Sequence, residues 1–184
     1  ESLASILASD PYQQRMALVH ARVFEEMKGL SAEVRRDMAR VLTDGVGRGL
    51  NPREVARNLT EQVGIEKRRA NRIARTEVTT ALRRAKWDED DEAQQLYGLK
   101  TRLLHISALS PTTRRNHAAR HAHLYTNEEV REWYAKDANS INCKCSQQSV
   151  LVDDSGNPVY PDVITKLKQE YKTMQARGYA WSKG

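Results

Sequence analysis

The sequence predicts a predominantly helical α+β protein, and three observations lead there. Apolar residues recur at helical spacing through the first half of the chain, between stops made of Ser, Asn, Pro and Gly. After Gly98 the pattern shortens into stretches that read as a short antiparallel sheet with a helix beside it, followed by a C-terminal helix. Four of the five histidines and both cysteines fall between His105 and Cys145, which marks a local site or staple. The expected division is a helical N-terminal region over 1–64, a small α+β module over 65–152, and a hairpin turn with a C-terminal helix over 153–184.

The helices are read from their ends. Asp10-Pro11-Tyr12-Gln13 offers a capping residue, a proline at the first helical position and a Gln three residues on; Met16, Val19, Val23, Phe24 and Met27 follow at helical spacing. Gly29 ends that helix and Ser31 caps the next, with Val34, Met38, Val41 and Leu42 on one face and Gly45, Gly47 and Gly49 expected to break it. Asn51-Pro52-Arg53-Glu54 is a second capping box, with Leu50 and Val55 as its hydrophobic staple, and that helix stops near Gly64. A longer helix is expected from Ile65 to Ala93, striped by Ile73, Val78, Leu82 and Ala85, its end frayed or solvated by the acidic run Asp88 to Glu92.

Beyond Gly98, Leu99 to Ile106 reads as a strand, and Ser110-Pro111 leads into a short helix carrying His117 and His121. Thr126-Asn127-Glu128-Glu129 is a third capping box, stapled by Tyr125 and Val130, for a helix to about Lys136. Residues 137–140 read as loop and Cys145 to Val152 as a strand. Asp154-Ser155-Gly156-Asn157-Pro158 is a hairpin turn returning through Val159-Tyr160. Val163, Ile164, Leu167, Tyr171 and Met174 stripe the last helix.

Composition narrows the function classes. Only 6% of residues are aromatic, 29% are charged, and the mean hydropathy is -0.73, so helices with wide solvated faces or faces buried on partner subunits fit better than one large core. The formal charge of +6 favours contact with nucleic acid, an anionic surface or an acidic protein without choosing among them. No run reaches the roughly 18 apolar residues of a membrane helix, and the start, Glu1-Ser2-Leu3-Ala4, has no secretory pattern and no initiator Met, as in a fragment or processed product. Two Cys in Cys-x-Cys spacing do not make a disulfide framework.

Three constellations carry chemistry. Lys67, Arg68, Arg69, Arg72, Arg75, Arg83, Arg84 and Lys86 crowd one helix at spacings of three and four, as phosphate contacts along DNA require. A solvated face or a face docked on an acidic partner would look the same. Within that helix, Ala74-Arg75-Thr76-Glu77 suits a buried Arg–Glu contact or an exposed polar turn. His117, His121, Cys143 and Cys145 offer two nitrogens and two sulfurs, a set that suits tetrahedral zinc, although one residue between the Cys makes closure harder than the usual two to four. The same four residues also suit plain packing and hydrogen bonding. A catalytic thiol or metal-dependent nuclease would use His117 and His121, but the nearest carboxylate in prospect is Asp137, at no convincing metal spacing. Gly45-Val46-Gly47-Arg48-Gly49 follows a helix rather than a strand, so it is a hinge or cap and no phosphate loop.

Together these residues resemble the phage Mu F-like head-morphogenesis family, the minor capsid proteins found with portal proteins in tailed phages. The family's helical Ala-Arg-Thr-Glu stands here as Ala74-Arg75-Thr76-Glu77; its Arg-Thr-Arg-x-x-His as Thr112-Thr113-Arg114-Arg115-Asn116-His117, with His121 following; and its Asn-Cys-Arg-Cys as Asn142-Cys143-Lys144-Cys145. The chain departs where Ser110 replaces an acidic residue before the Thr-Arg pair, where Thr112 replaces the first Arg, and where Ala122 and His123 stand in place of a Gly. The resemblance implies a non-enzymatic minor head protein in the virion, inside the capsid near the portal, assembled in the host cytoplasm. It would aid procapsid assembly, DNA packaging or ejection. Its partners would be portal protein, major capsid or scaffold protein and packaged DNA, in several copies per virion. Arg75, Glu77, Thr113, Arg114 and Asn142 would be structural. The alternatives are a metal-dependent nuclease or toxin module, and a nucleic-acid-binding accessory protein outside any virion.

Overall fold

A computed structural model of the chain describes residues 29–183. The described residues hold six α-helices, a three-stranded antiparallel sheet and a closing 3-10 turn, in keeping with a predominantly helical α+β protein. The expected helix capped at Asp10 lies outside them. The chain forms two compact units: the described residues up to Lys86 with Ser140–Cys143, and Trp87–Asn139 with the described residues from Lys144 on.

The first unit is built on apolar packing. Helix α1 (Ala32–Gly47) starts where the Ser31 side chain accepts from the Val34 N–H at 3.3 Å. Helix α2 (Pro52–Val63) starts with the full capping box: Asn51 accepts from the Arg53 and Glu54 N–H groups, and Glu54 accepts the Asn51 N–H. It stops at Gly64, whose φ of +75° is the left-handed cap that glycine adopts without strain. Met38, Leu42, Val55, Leu59, Ile73 and Val78 form the core, with Leu50 packed against it as the staple anticipates. Each such side chain contributes about 1.5–3 kcal/mol on burial.

Gly45 and Gly47 do not break α1, which runs through both. Gly45 is a close-approach residue instead: a Cβ there would stand 2.6 Å from Val55 Cγ2, so the missing side chain makes room for α2.

Helix α3 (Lys67–Tyr97) begins in the first unit and ends in the second. Its start is capped by the Glu66 carboxylate, which accepts from Arg68 N–H at 2.9 Å and Arg69 N–H at 3.0 Å; those bonds hold the carboxyl below its ordinary range. Ile73, Ala74, Val78 and Ala81 are its buried stripe. Leu82 was expected there and is 56% exposed, because one residue past Ala81 the helix has turned about 100°. The acidic run does not fray the helix. Asp90 is buried in it, accepting from the hydroxyls of Thr101, at 2.9 Å, and Ser149.

In the second unit β1 (Thr101–Ile106) is central, between β2 (Leu124–Tyr125) and β3 (Ser146–Leu151). Its register runs from Thr101 opposite Leu151 to Ile106 opposite Ser146, and Leu104 opposes Leu124. Helix α4 (Arg115–Ala118) is a single turn. Helix α5 (Asn127–Ala135) carries the third capping box intact, Thr126 with Glu129. The return after the turn at Gly156 is a single bridge, Val152 to Pro158, and no strand forms at Val159-Tyr160. Helix α6 (Asp162–Gln175) and the 3-10 turn Ala180–Ser182 form a C-terminal arm whose Trp181 is buried, while Val163, expected on the inner stripe, is exposed.

Candidate functional site

The Thr-Arg segment and the turn of α4 place His117. Ser110 and Thr113 close a small turn by two bonds, Ser110 N–H to Thr113 Oγ1 at 2.8 Å and Thr113 N–H to the Ser110 carbonyl at 3.0 Å. Arg114 then extends its guanidinium to two carbonyls, Ala138 and Asn139, both at 2.9 Å. Those carbonyls belong to a turn in which Asp137 and Ala138 both adopt positive φ, 52° and 53°, a conformation costly for residues with a Cβ. Arg114 therefore serves as a clamp on a strained turn. Asn139, 1% exposed, completes it: its Oδ1 accepts from Asn116, and its Nδ2 donates to the Trp133 carbonyl, both at 2.9 Å.

The chain from that turn leads through Asn142 to the Cys-x-Cys segment. In the first unit, the Asn142 N–H donates to Thr76 Oγ1 at 2.8 Å, joining the Asn-Cys-Lys-Cys segment to the Ala-Arg-Thr-Glu segment. Thr76 and Glu77 are buried, which favours the structural reading of that motif over an exposed polar turn.

His117 and Cys145 are buried in the second unit, and Cys143 is buried in the first. His117 Nδ1 is 3.5 Å from Cys145 Sγ, and Cys145 Sγ is 3.7 Å from Ser107 Oγ. Both cysteines are free thiols. An imidazole nitrogen about 2.1 Å and a thiolate about 2.3 Å from one zinc ion, at a tetrahedral angle, stand about 3.6 Å apart. The donor set and its spacing therefore fit a metal ion. An S–H···N hydrogen bond has the same length, so the geometry also fits the metal-free pair.

His121 is a correction to the expected ligand set. Its Nδ1 accepts from the Ser107 N–H at 3.1 Å, and its Nε2 stands 3.1 Å from the Leu167 carbonyl. An acceptor on one side and a carbonyl on the other fix the neutral tautomer with the proton on Nε2. Both nitrogens are used, and no electron pair is left for a metal. Desolvation pushes this imidazole below its ordinary pKa.

Several functional positions gave no sequence signal. Asn139, Ser107 and Trp133 look like loop, strand-end and helix residues, and only the fold brings them around His117, whose ring meets Trp133 at 4.6 Å. Arg120 lies over the rings of Tyr125, at 3.6 Å, and Trp133, at 4.6 Å; burial pushes its pKa down. His105 is fully buried, bonded through Nδ1 to Gln147 at 3.2 Å.

The basic helix is not one uniform face. Lys67, Arg68 and Arg72 are exposed, Arg69, Arg75, Arg84 and Lys86 are partly buried, and Arg83 is buried, with Nη2 on Thr80 Oγ1 at 3.3 Å. Arg83 is thus no free phosphate contact. The helix turns it inward over Thr80, one turn back, where a long cation needs a polar partner.

These segments belong together in one family as well as in one fold. A family model described as Phage Mu protein F like protein matches residues 36–148. The chain is a member of that family. The match runs from within α1 to within β3 and includes all three motif segments. It supports a phage head-morphogenesis protein and association with the virion. No curated protein and no solved structure matches the chain. No helix among the described residues is long and apolar enough to cross a membrane.

Proposed function

We propose that this Mu F-like protein is a minor head protein of a tailed phage, acting with the portal during procapsid assembly and DNA packaging or ejection. The observation that carries the reading is that the family's own segments are spent on internal bonds within each unit. Arg114 spends its donors on backbone carbonyls, Thr76 takes the Asn142 N–H, and His117 and Cys145 pair in the interior. Bonds of this kind stabilise a module, and the burial of His117 and Cys145 keeps them from a substrate. That weighs against a nuclease or toxin using His117 and His121, the more so because His121 is fully engaged. In this reading, the partners are portal, major capsid or scaffold protein, in several copies per virion inside the capsid. The exposed Lys67, Arg68 and Arg72 contact packaged DNA or an acidic partner.

Zinc at His117 and Cys145 is part of the same proposal, as a structural staple. Bound there, the ion would lock the turn of α4 onto the lead-in to β3. Elemental analysis of purified protein, with melting temperatures before and after chelation, tests it. About one zinc per chain, with a melting temperature that falls on removal, is expected; no metal would return the cluster to hydrogen bonding.

The assembly role is tested by co-expressing the chain with portal, scaffold and major capsid proteins of one phage. Co-sedimentation with procapsids, dependent on portal, is expected. A chain that stays at the top of the gradient in every combination would defeat the head-protein reading. Charge reversal at Lys67, Arg68 and Arg72 should weaken DNA binding and flatten its salt dependence; unchanged binding would remove DNA from the proposal.

A further inference from the structure

The C-terminal arm is thinly attached within its unit, and one of its anchors is a histidine. Helix α6 buries only Ile164 fully; Leu167, Tyr171 and Met174 are half-buried. Pro161 gives the helix no side-chain cap. Trp181 packs with Leu109 and Ala118, and its indole N–H donates to the Ser110 carbonyl at 3.1 Å. The remaining polar anchor is His121, 3% exposed, which ties the Ser107 N–H on one side to the Leu167 carbonyl on the other, with Tyr171 stacked on its ring at 6.1 Å.

This arrangement accepts only a neutral imidazole. A proton on Nδ1 would point at the Ser107 N–H, setting donor against donor. The charged ring would also lie buried, with Glu170 of α6 as the nearby counter-charge, His123 opposing it and Tyr171 offering only its ring. His123 itself bonds through Nδ1 to the His121 carbonyl at 3.0 Å.

We propose that His121 is an acid-released latch: neutral, it holds residues 162–182 against the rest of the unit, and protonated, it lets them go. The sign follows from the lowered pKa. Above the ordinary imidazole value of 6.5, docked and undocked arms are both neutral and docking is at full strength. As pH falls below 6.5 the undocked arm takes up a proton that the docked arm resists, and docking weakens. At pH 5.0 the loss is at most about 30-fold in the docking equilibrium, the protonation ratio of a free imidazole of that pKa.

The test is backbone amide exchange of the full chain by mass spectrometry at pH 7.5 and 5.0, corrected for intrinsic exchange rates, with chelator present throughout. Residues 162–176 should exchange about 10- to 30-fold faster at pH 5.0, while β1 and β3 keep their protection. His121→Gln keeps an N–H for Leu167 and cannot titrate. It should show the same arm protection at both pH values, whether high or low, and Glu170→Gln should retain the dependence. A pH-independent arm, a dependence that survives His121→Gln, or simultaneous loss of protection in β1 and β3 would each overturn the latch.

Discussion

The two units reach order by different means. The first packs Met38, Leu42, Val55, Leu59, Ile73 and Val78 against one another, and its buried polar residues, Thr76, Glu77, Thr80 and Arg83, all lie along α3. The second buries Asp90, Thr101, His105, Ser107, His117, His121, Asn127, Asn139 and Gln147, nearly all of them in side-chain hydrogen bonds. An apolar core tolerates rearrangement as long as its volume is kept, whereas a buried polar network is stable only when every partner is present. The first unit therefore suits a surface that must adapt to a partner, and the second a scaffold of fixed geometry. That contrast can be broken experimentally because all three tryptophans, Trp87, Trp133 and Trp181, lie in the second unit. Tryptophan fluorescence reports that unit, and far-ultraviolet circular dichroism reports the helices of both.

The largest effect is expected from Leu59→Ala, which opens a cavity in the first unit and should cost about 2–5 kcal/mol in urea unfolding. The dichroism transition should move to lower urea more than the fluorescence transition does. Identical shifts would mean that the units unfold as one, and the contrast would fail. Next comes Asn139→Ala, which strands the Trp133 carbonyl and the Asn116 amide. A loss of about 2–3 kcal/mol is expected, seen first in fluorescence. A change under about 0.5 kcal/mol would show that water replaces the side chain, so the network would not be all-or-none.

Gly45→Ala should cost about 1–2 kcal/mol despite the better helix propensity of Ala, because its Cβ would press on Val55. Combined with Val55→Ala, the loss should be smaller than the sum of the two single losses; strict additivity would refute the close approach as the cause. Asn51→Ala removes a capping box and should cost about 1 kcal/mol. The smallest effect is a pH dependence at Glu66. Its lowered pKa makes the cap fully present above 4.5 and lost as pH falls through the depressed value. Glu66→Gln should flatten that part of the melting-temperature profile, and an unchanged profile would assign the acid sensitivity elsewhere.

Much of this was legible in the chain because it is local. A cap lies within three residues of its partner, so the boxes at Asn51 and Thr126 and the cap at Ser31 could be read directly. Gly45 departs from the expected break because a helix break and a close helix approach leave the same residue, and only the position of Val55 tells them apart. Within the acidic run, whose Asp88, Glu89 and Glu92 are solvated, the burial of Asp90 left no local signal: it is stabilised by Thr101 and Ser149, eleven and fifty-nine residues away.

The sequence by itself determined the helical α+β class, the caps, the family motifs and the clustering of His and Cys, since these depend on periodicity and short spacing. Only the tertiary structure decided that His117 faces Cys145 while His121 turns to Ser107 and Leu167. Histidines four residues apart look alike in a sequence. Their ring nitrogens choose between a thiol and a backbone carbonyl only after distant segments have been brought within about 3 Å.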